Sequence, residues 1–157
     1  MPEEHRTNRP RAVISACLTG RACRYDGCDQ YNPEVETLGE QYDLLPICPE
    51  VEGGLETPRP PAEITTGPGE AVLDGHARVV RVEDGGNVTG AFLKGARYTL
   101  QAAVETGASH AFLMDRSPSC GCERIYRNGV LVPGSGVTAA LLKRNGLMVR
   151  SMSGKDQ

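Results

Sequence analysis

The chain has 157 residues, 39% of them hydrophobic, with a formal net charge of −3. That length suits one domain, and the charge argues against a general nucleic-acid binder, whose affinity rests on many phosphate contacts. No apolar run reaches the length of a membrane span, and the charged first eleven residues lack a signal-peptide pattern, so the expected setting is cytoplasmic with no membrane partner.

In chain order, residues 1–11 read as a loose polar tail. Residues 12–16 are short, small and apolar, the pattern of a buried strand, and they run into Cys17 and a glycine-punctuated loop holding Cys23, Arg24, Tyr25, Asp26 and Cys28. A helix is expected over 32–41, capped by Asn32 with Pro33 at its first position. A second strand over 42–47, interrupted by Pro46, delivers Cys48-Pro49-Glu50 and then Gly53-Gly54. Residues 71–75 and 78–82 are read as a β-hairpin turning near Asp74-Gly75, with His76 an exposed loop residue.

The clearest helix spans 88–106, with Asn87 as cap, Gly107 as stop, and Val88, Phe92, Ala96, Leu100 and Val104 in i, i+4 spacing. Gly90 and Gly95 inside it each cost up to about 1 kcal/mol against alanine, which tertiary packing must offset. A buried strand over 109–114 ends in Asp115-Arg116-Ser117-Pro118-Ser119-Cys120-Gly121-Cys122. Ser117-Pro118 forces an extended or turning backbone there. Asn128-Gly129, flanked by Arg124-Ile-Tyr126 and Val130-Leu-Val132, is a strong hairpin signal. A last helix starting at Ser135 or Gly136, stopped by Gly146, and a strand over 147–149 complete the pattern.

These elements predict a single α/β domain over 12–150, with a short tail over 151–157. The domain is read as a mostly parallel sheet flanked by helices, Rossmann-like and three-layered, with small β-hairpin additions.

One grammar occurs three times: a short apolar strand leads to a cysteine with Gly or Pro within the next three residues, at Cys17, Cys48 and Cys120. Ligands in open α/β sheets sit at the carboxyl ends of strands, so parallel strands bring these three sulfurs to one edge. The six cysteines include no C-x2-C pair, the usual zinc-ribbon spacing, and Cys17 to Arg24 is one residue too long for a C-x5-R phosphate loop. Two readings remain: thiols packed as small hydrophobes, or a soft-metal or iron–sulfur site assembled from distant loops.

Several segments resemble a bacterial family of iron–sulfur-dependent thiouracil desulfidases. They are Ile14-Ser-Ala-Cys-Leu18, Cys23-Arg-Tyr-Asp-Gly27, Cys48-Pro-Glu50 with Gly53-Gly-Leu55, Pro58-Arg-Pro60, Ser117-Pro-Ser-Cys-Gly121 and Gly134-Ser-Gly-Val-Thr-Ala-Ala140. The resemblance covers most of 12–150; Cys28 and Cys122 depart from the family pattern. It implies a 4Fe–4S cluster held by Cys17, Cys48 and Cys120, and non-redox conversion of a thiolated pyrimidine to its oxo form with release of hydrosulfide.

Such chemistry requires an open metal position and a base for water. Glu50 is the expected base, and Ser117 a proton relay or ring-positioning hydroxyl. Arg24, Tyr25, Asp26 and Ser119 are read as substrate-orienting groups or as residues that order their own loops. The expected partner is a small thiopyrimidine, with free base, nucleoside and thiolated RNA all left open. Two rivals belong to other classes: a zinc-binding structural protein using four cysteines, and an electron-transfer protein with a closed cluster.

Overall fold

The computed structural model describes residues 9–154. Its centre is a four-stranded, fully parallel sheet in the order β2–β1–β5–β8, formed by β1 (Arg11–Ser15), β2 (Asp43–Ile47), β5 (His110–Met114) and β8 (Met148–Met152). β1 and β5 are nearly solvent-free apart from their first residues, as expected of apolar strands covered on both faces. The chain first steps from β1 to β2 on one side and later returns to pair β5 with β1 on the other. The carboxyl ends of β1 and β5 therefore flank a topological switch point, where open α/β sheets form their ligand crevices.

Helices α1 (Glu34–Gln41), α4 (Thr89–Thr106) and α5 (Val137–Arg144) connect the strands of this sheet. The helix starts are set by asparagines: Asn32 Oδ1 accepts the Glu34 amide at 2.8 Å, and Asn87 Oδ1 accepts the Thr89 amide at 2.9 Å. The buried face of α4 is Phe92, Gly95, Ala96, Thr99 and Ala103, whereas Val104 is exposed. A strict i, i+4 stripe from 88 to 104 rotates by about 160° at 100° per residue, so the expected stripe drifts off the core. Gly95 has its tertiary reason: a Cβ there would strike the Pro49 carbonyl. A Cβ on Gly53 would likewise strike the Ala91 carbonyl, so α2 (Pro49–Glu52) and α4 pack backbone to backbone. No neighbour within 4 Å accounts for Gly90.

The expected hairpin over 71–82 is corrected by the structure. Residues 71–73 lie in a short helix, α3 (Gly69–Leu73), and β4 (Val79–Arg81) pairs antiparallel with β3 (Ala62–Ile64) instead. A three-residue apolar run carries no period that separates helix from strand. Close packing of Gly69 on the Gly136 backbone favours the helix. The Asn128-Gly129 hairpin forms as expected between β6 (Arg124–Arg127) and β7 (Val130–Pro133), with φ of 53° and 75° at the two turn residues. His76 is exposed.

At the ends, β1 begins at Arg11 and β8 runs to Met152, so the sheet reaches one and two residues beyond the domain boundaries expected from sequence. Most of the expected N-terminal tail and the last three residues lie outside the described residues. Among the described residues no helix is long and apolar enough to cross a membrane.

Candidate active site

Each of β1, β2 and β5 hands its chain to a polar loop at the same edge of the sheet. β1 continues into a 3-10 turn, Ala16–Thr19, that contains Cys17. β2 ends at Ile47, and Cys48 follows as the residue that leads into α2. β5 ends at Met114, and Cys120 follows in the Ser-Pro loop. All three cysteines are at most 9% exposed and line one cavity of about 410 Å³, within the usual range for small-molecule sites. Glu50, Ser117, Arg24, Tyr25, Cys23 and Arg59 line it too.

Ser117 organises the cysteine loop. Its Oγ accepts the amides of Ser119 and Cys120, each at 3.0 Å, and its hydroxyl points to Glu50 Oε2 at 3.5 Å. Ser117 thus orders the turn and also lines the cavity. Gly121 is needed for close approach: a Cβ there would crowd the Arg124 and Ser117 carbonyls. Opposite, Arg59 Nε donates to Glu50 Oε1 at 3.0 Å, and its other nitrogens donate to the Cys23 and Glu56 carbonyls, both at 2.9 Å. The Arg59 side chain is 7% exposed and that of Glu50 16%, so this ion pair is well shielded from water. Arg59 also donates its amide to the Tyr25 carbonyl at 2.7 Å, tying the loop of Cys23 and Arg24 to the cavity mouth.

The thiols differ in protonation. Burial pushes Cys17 up to about 12, reinforced by the neighbouring Cys48. Burial likewise raises Cys120, with the nearby Cys17, Cys48 and Glu50 adding to it. Cys48 is lowered to about 7, first by a hydrogen bond with Cys23 and also by the Val51 amide, against the effect of burial. Cys23 is raised by the same bond and by burial. Cys122 is also buried and pushed up to about 12 by burial, only partly offset by Lys143. It does not line the cavity, and Cys28 is exposed.

Two expected substrate contacts lie elsewhere. The Ser119 hydroxyl is 1% exposed and shares a 2.9 Å hydrogen bond with Thr138 Oγ1 on α5. Asp26 Oδ1 accepts the Cys28 amide at 3.0 Å, ordering its own loop. The Arg24 guanidinium lies over the Tyr25 ring at 5.2 Å. Sequence reasoning missed Asp115, Arg116, Gln30, Glu63 and Tyr126, which also line the cavity. The position of Asp115-Arg116 just past β5 was the available signal.

Among the described residues, no three His, Cys, Asp or Glu side chains converge closely enough to hold a single metal ion. A cuboidal cluster binds each thiolate on a different iron, so its cysteines stand apart around it. Buried sulfurs on separate strand ends around one cavity suit that donor set better than a tetrahedral zinc site, whose sulfurs crowd one ion at about 2.3 Å.

Fold and site together define an α/β enzyme whose reaction crevice lies at the carboxyl edge of a parallel sheet and is walled by cysteines. The chain belongs to the 2-thiouracil desulfurase family, whose sequence profile matches residues 12–153. It is 44% identical over 142 residues to the uncharacterized protein YbbK of Bacillus subtilis (strain 168), covering 88% of this chain and 93% of that protein. It also superposes with a TM-score of 0.79 on the [4Fe-4S]-dependent thiouracil desulfidase TudS (DUF523Vcz), at 40% identity, over 95% of this chain and 93% of that one.

Proposed function

We infer that this protein is an iron–sulfur-dependent thiouracil desulfidase that replaces the sulfur of a thiopyrimidine by oxygen without net oxidation or reduction. Three buried cysteines on separate strand ends facing a cavity with a carboxylate and a hydroxyl carry this reading. Cys17, Cys48 and Cys120 would hold a 4Fe–4S cluster. When bound through only three thiolates, the cluster supplies Lewis acidity toward the thiocarbonyl sulfur at an iron without a protein ligand.

The chain supplies the rest. Glu50, oriented through Oε1 by Arg59, takes a proton from the attacking water at Oε2, the oxygen that faces Ser117. Ser117 holds the loop that carries Cys120 and keeps a hydroxyl beside that oxygen. Arg24 and Tyr25 border the opening from the opposite loop. The bookkeeping is hydrolytic: one water enters, the C–S bond breaks, a C–O bond forms, and hydrosulfide leaves with the oxo pyrimidine. No external electron is needed.

The test is anaerobic turnover of 2-thiouracil by the reconstituted protein without reductant. One sulfide and one uracil per substrate consumed are expected. A strict requirement for an electron donor at each turnover contradicts the non-redox course.

A further inference from the structure

Most polar side chains lining the cavity are committed to partners within the protein. Glu50 is held by Arg59, and Glu63 accepts the amides of Asn128 and Gly129 at 2.7 and 3.2 Å. Among the described residues, two buried side-chain atoms lack a hydrogen-bond partner, Asp115 Oδ1 and Arg116 Nε. They belong to adjacent residues, both on the cavity wall. Asp115 is 7% exposed, and its other oxygen, Oδ2, is fixed by Arg124 at 2.8 and 3.1 Å. Arg116 Nε is 3.9 Å from that same Oδ2, too far for a hydrogen bond.

The backbone points the same way. Arg116 has a φ of 73°, in the left-handed region that non-glycine residues avoid, and a bridge to Ile125 holds it there. A half-buried arginine kept at a costly backbone angle, with its Nε orphaned beside a buried carboxylate whose Oδ1 is also unpaired, has the character of a prepared ligand site.

The pair offers one acceptor and one donor side by side. Its complement is a donor next to an acceptor, the –NH–C(=O)– edge of a uracil ring. We propose that Asp115 and Arg116 are positioning and specificity residues that read this edge, with Asp115 accepting the ring N3–H and Arg116 donating to the adjacent carbonyl oxygen. This rests on the desulfidase reading above and names the substrate class within it. N3–H lies between C2 and C4, so the same contact serves a 2-thio or a 4-thio substrate. N1 is left unread, so an N1-substituted ring is tolerated by this pair. A cytosine-type ring presents an unprotonated N3 and an exocyclic amine, the reverse pattern, and is rejected. A site built to satisfy buried polar groups discriminates strongly against a ligand that leaves them unpaired.

The experiment uses cluster-loaded protein and measures equilibrium binding of uracil, 1-methyluracil, 3-methyluracil and cytosine, beside kcat and KM for 2-thiouracil and 2-thiocytosine. Wild type is expected to bind uracil and 1-methyluracil alike, and 3-methyluracil and cytosine at least about tenfold more weakly, the scale of one lost contact. Asp115→Asn should lose affinity for uracil and most of its discrimination against 3-methyluracil and cytosine. Arg116→Asn tolerates the left-handed backbone and removes a side chain with no hydrogen bond through Nε; it should raise KM more than it lowers kcat, with cluster content unchanged. Equal binding of uracil and 3-methyluracil by wild type, or discrimination preserved in both variants, overturns the proposal while leaving the desulfidase reading intact. Absence of both uracil binding and 2-thiouracil turnover in fully loaded protein overturns that reading, and this proposal with it.

Discussion

Replacing Glu50 by glutamine changes its charge and almost nothing of its shape, which makes it the cleanest probe of the chemistry. The amide oxygen can still accept the 3.0 Å bond from Arg59 Nε, and the amide nitrogen takes the place of the oxygen facing Ser117. The stability loss is then the difference between a charge-assisted and a neutral hydrogen bond, about 1 kcal/mol, or roughly 2–4 °C in Tm for a domain of this size. Turnover loses the base altogether, a factor of at least about 100, equivalent to about 2.7 kcal/mol of barrier. The two effects separate in one preparation: thermal melting and cluster absorbance report the fold, and single-turnover sulfide release reports the chemistry. Near-normal release from Glu50→Gln with an intact cluster would falsify its role as the base.

Three further outcomes follow from the same geometry. Arg59→Ala removes the partner of a mostly buried carboxylate and orphans the Cys23 and Glu56 carbonyls, so it should cost about 2–3 kcal/mol after allowing for partial exposure of Glu50, or roughly 4–12 °C in a thermal melt; an unchanged Tm contradicts the clamp. In cluster-free Cys28→Ser protein, alkylation at Cys48 should be half-maximal near its lowered value of about 7, while Cys17 stays protected by a value near 12. Because the Cys23 hydrogen bond lowers Cys48, Cys23→Ala should move that profile to higher pH, as read by peptide mass spectrometry. Gly95→Ala places a methyl against the Pro49 carbonyl and should destabilise by about 1–3 kcal/mol despite the better helix propensity of alanine; it should also lower cluster retention, since Pro49 follows Cys48.

The sheet was legible because β1 and β5 are apolar runs bounded by polar loops and glycines, and their ends mark where a ligand sits. The candidate site was legible for the same reason, since Cys17 and Cys48 follow their strands within two residues and Cys120 lies in the loop that follows β5. What escaped was set by tertiary contact. Ser119 and Ser117 look alike in sequence, and only the proximity of Thr138 on α5 turns one inward while Glu50 draws the other to the cavity. Residues 71–73 carry too few positions to reveal a period, and packing of Gly69 on Gly136 favours the helix. Asp115 and Arg116 stand at the right place just past β5, but nothing local announces that Asp115 Oδ1 and Arg116 Nε are left without partners or that Arg116 adopts a left-handed backbone.

The assignment of Cys17, Cys48 and Cys120 as the cluster-holding residues is tested most directly by iron and sulfide content after anaerobic reconstitution of six single Cys→Ala proteins. The structure predicts loss of the cluster in Cys17→Ala, Cys48→Ala and Cys120→Ala, whose thiols line the cavity. Retention is predicted in Cys28→Ala and Cys122→Ala, whose thiols do not, and in Cys23→Ala, whose thiol serves Cys48. A full cluster in Cys48→Ala, or its loss from Cys122→Ala with retention in Cys120→Ala, contradicts the assignment.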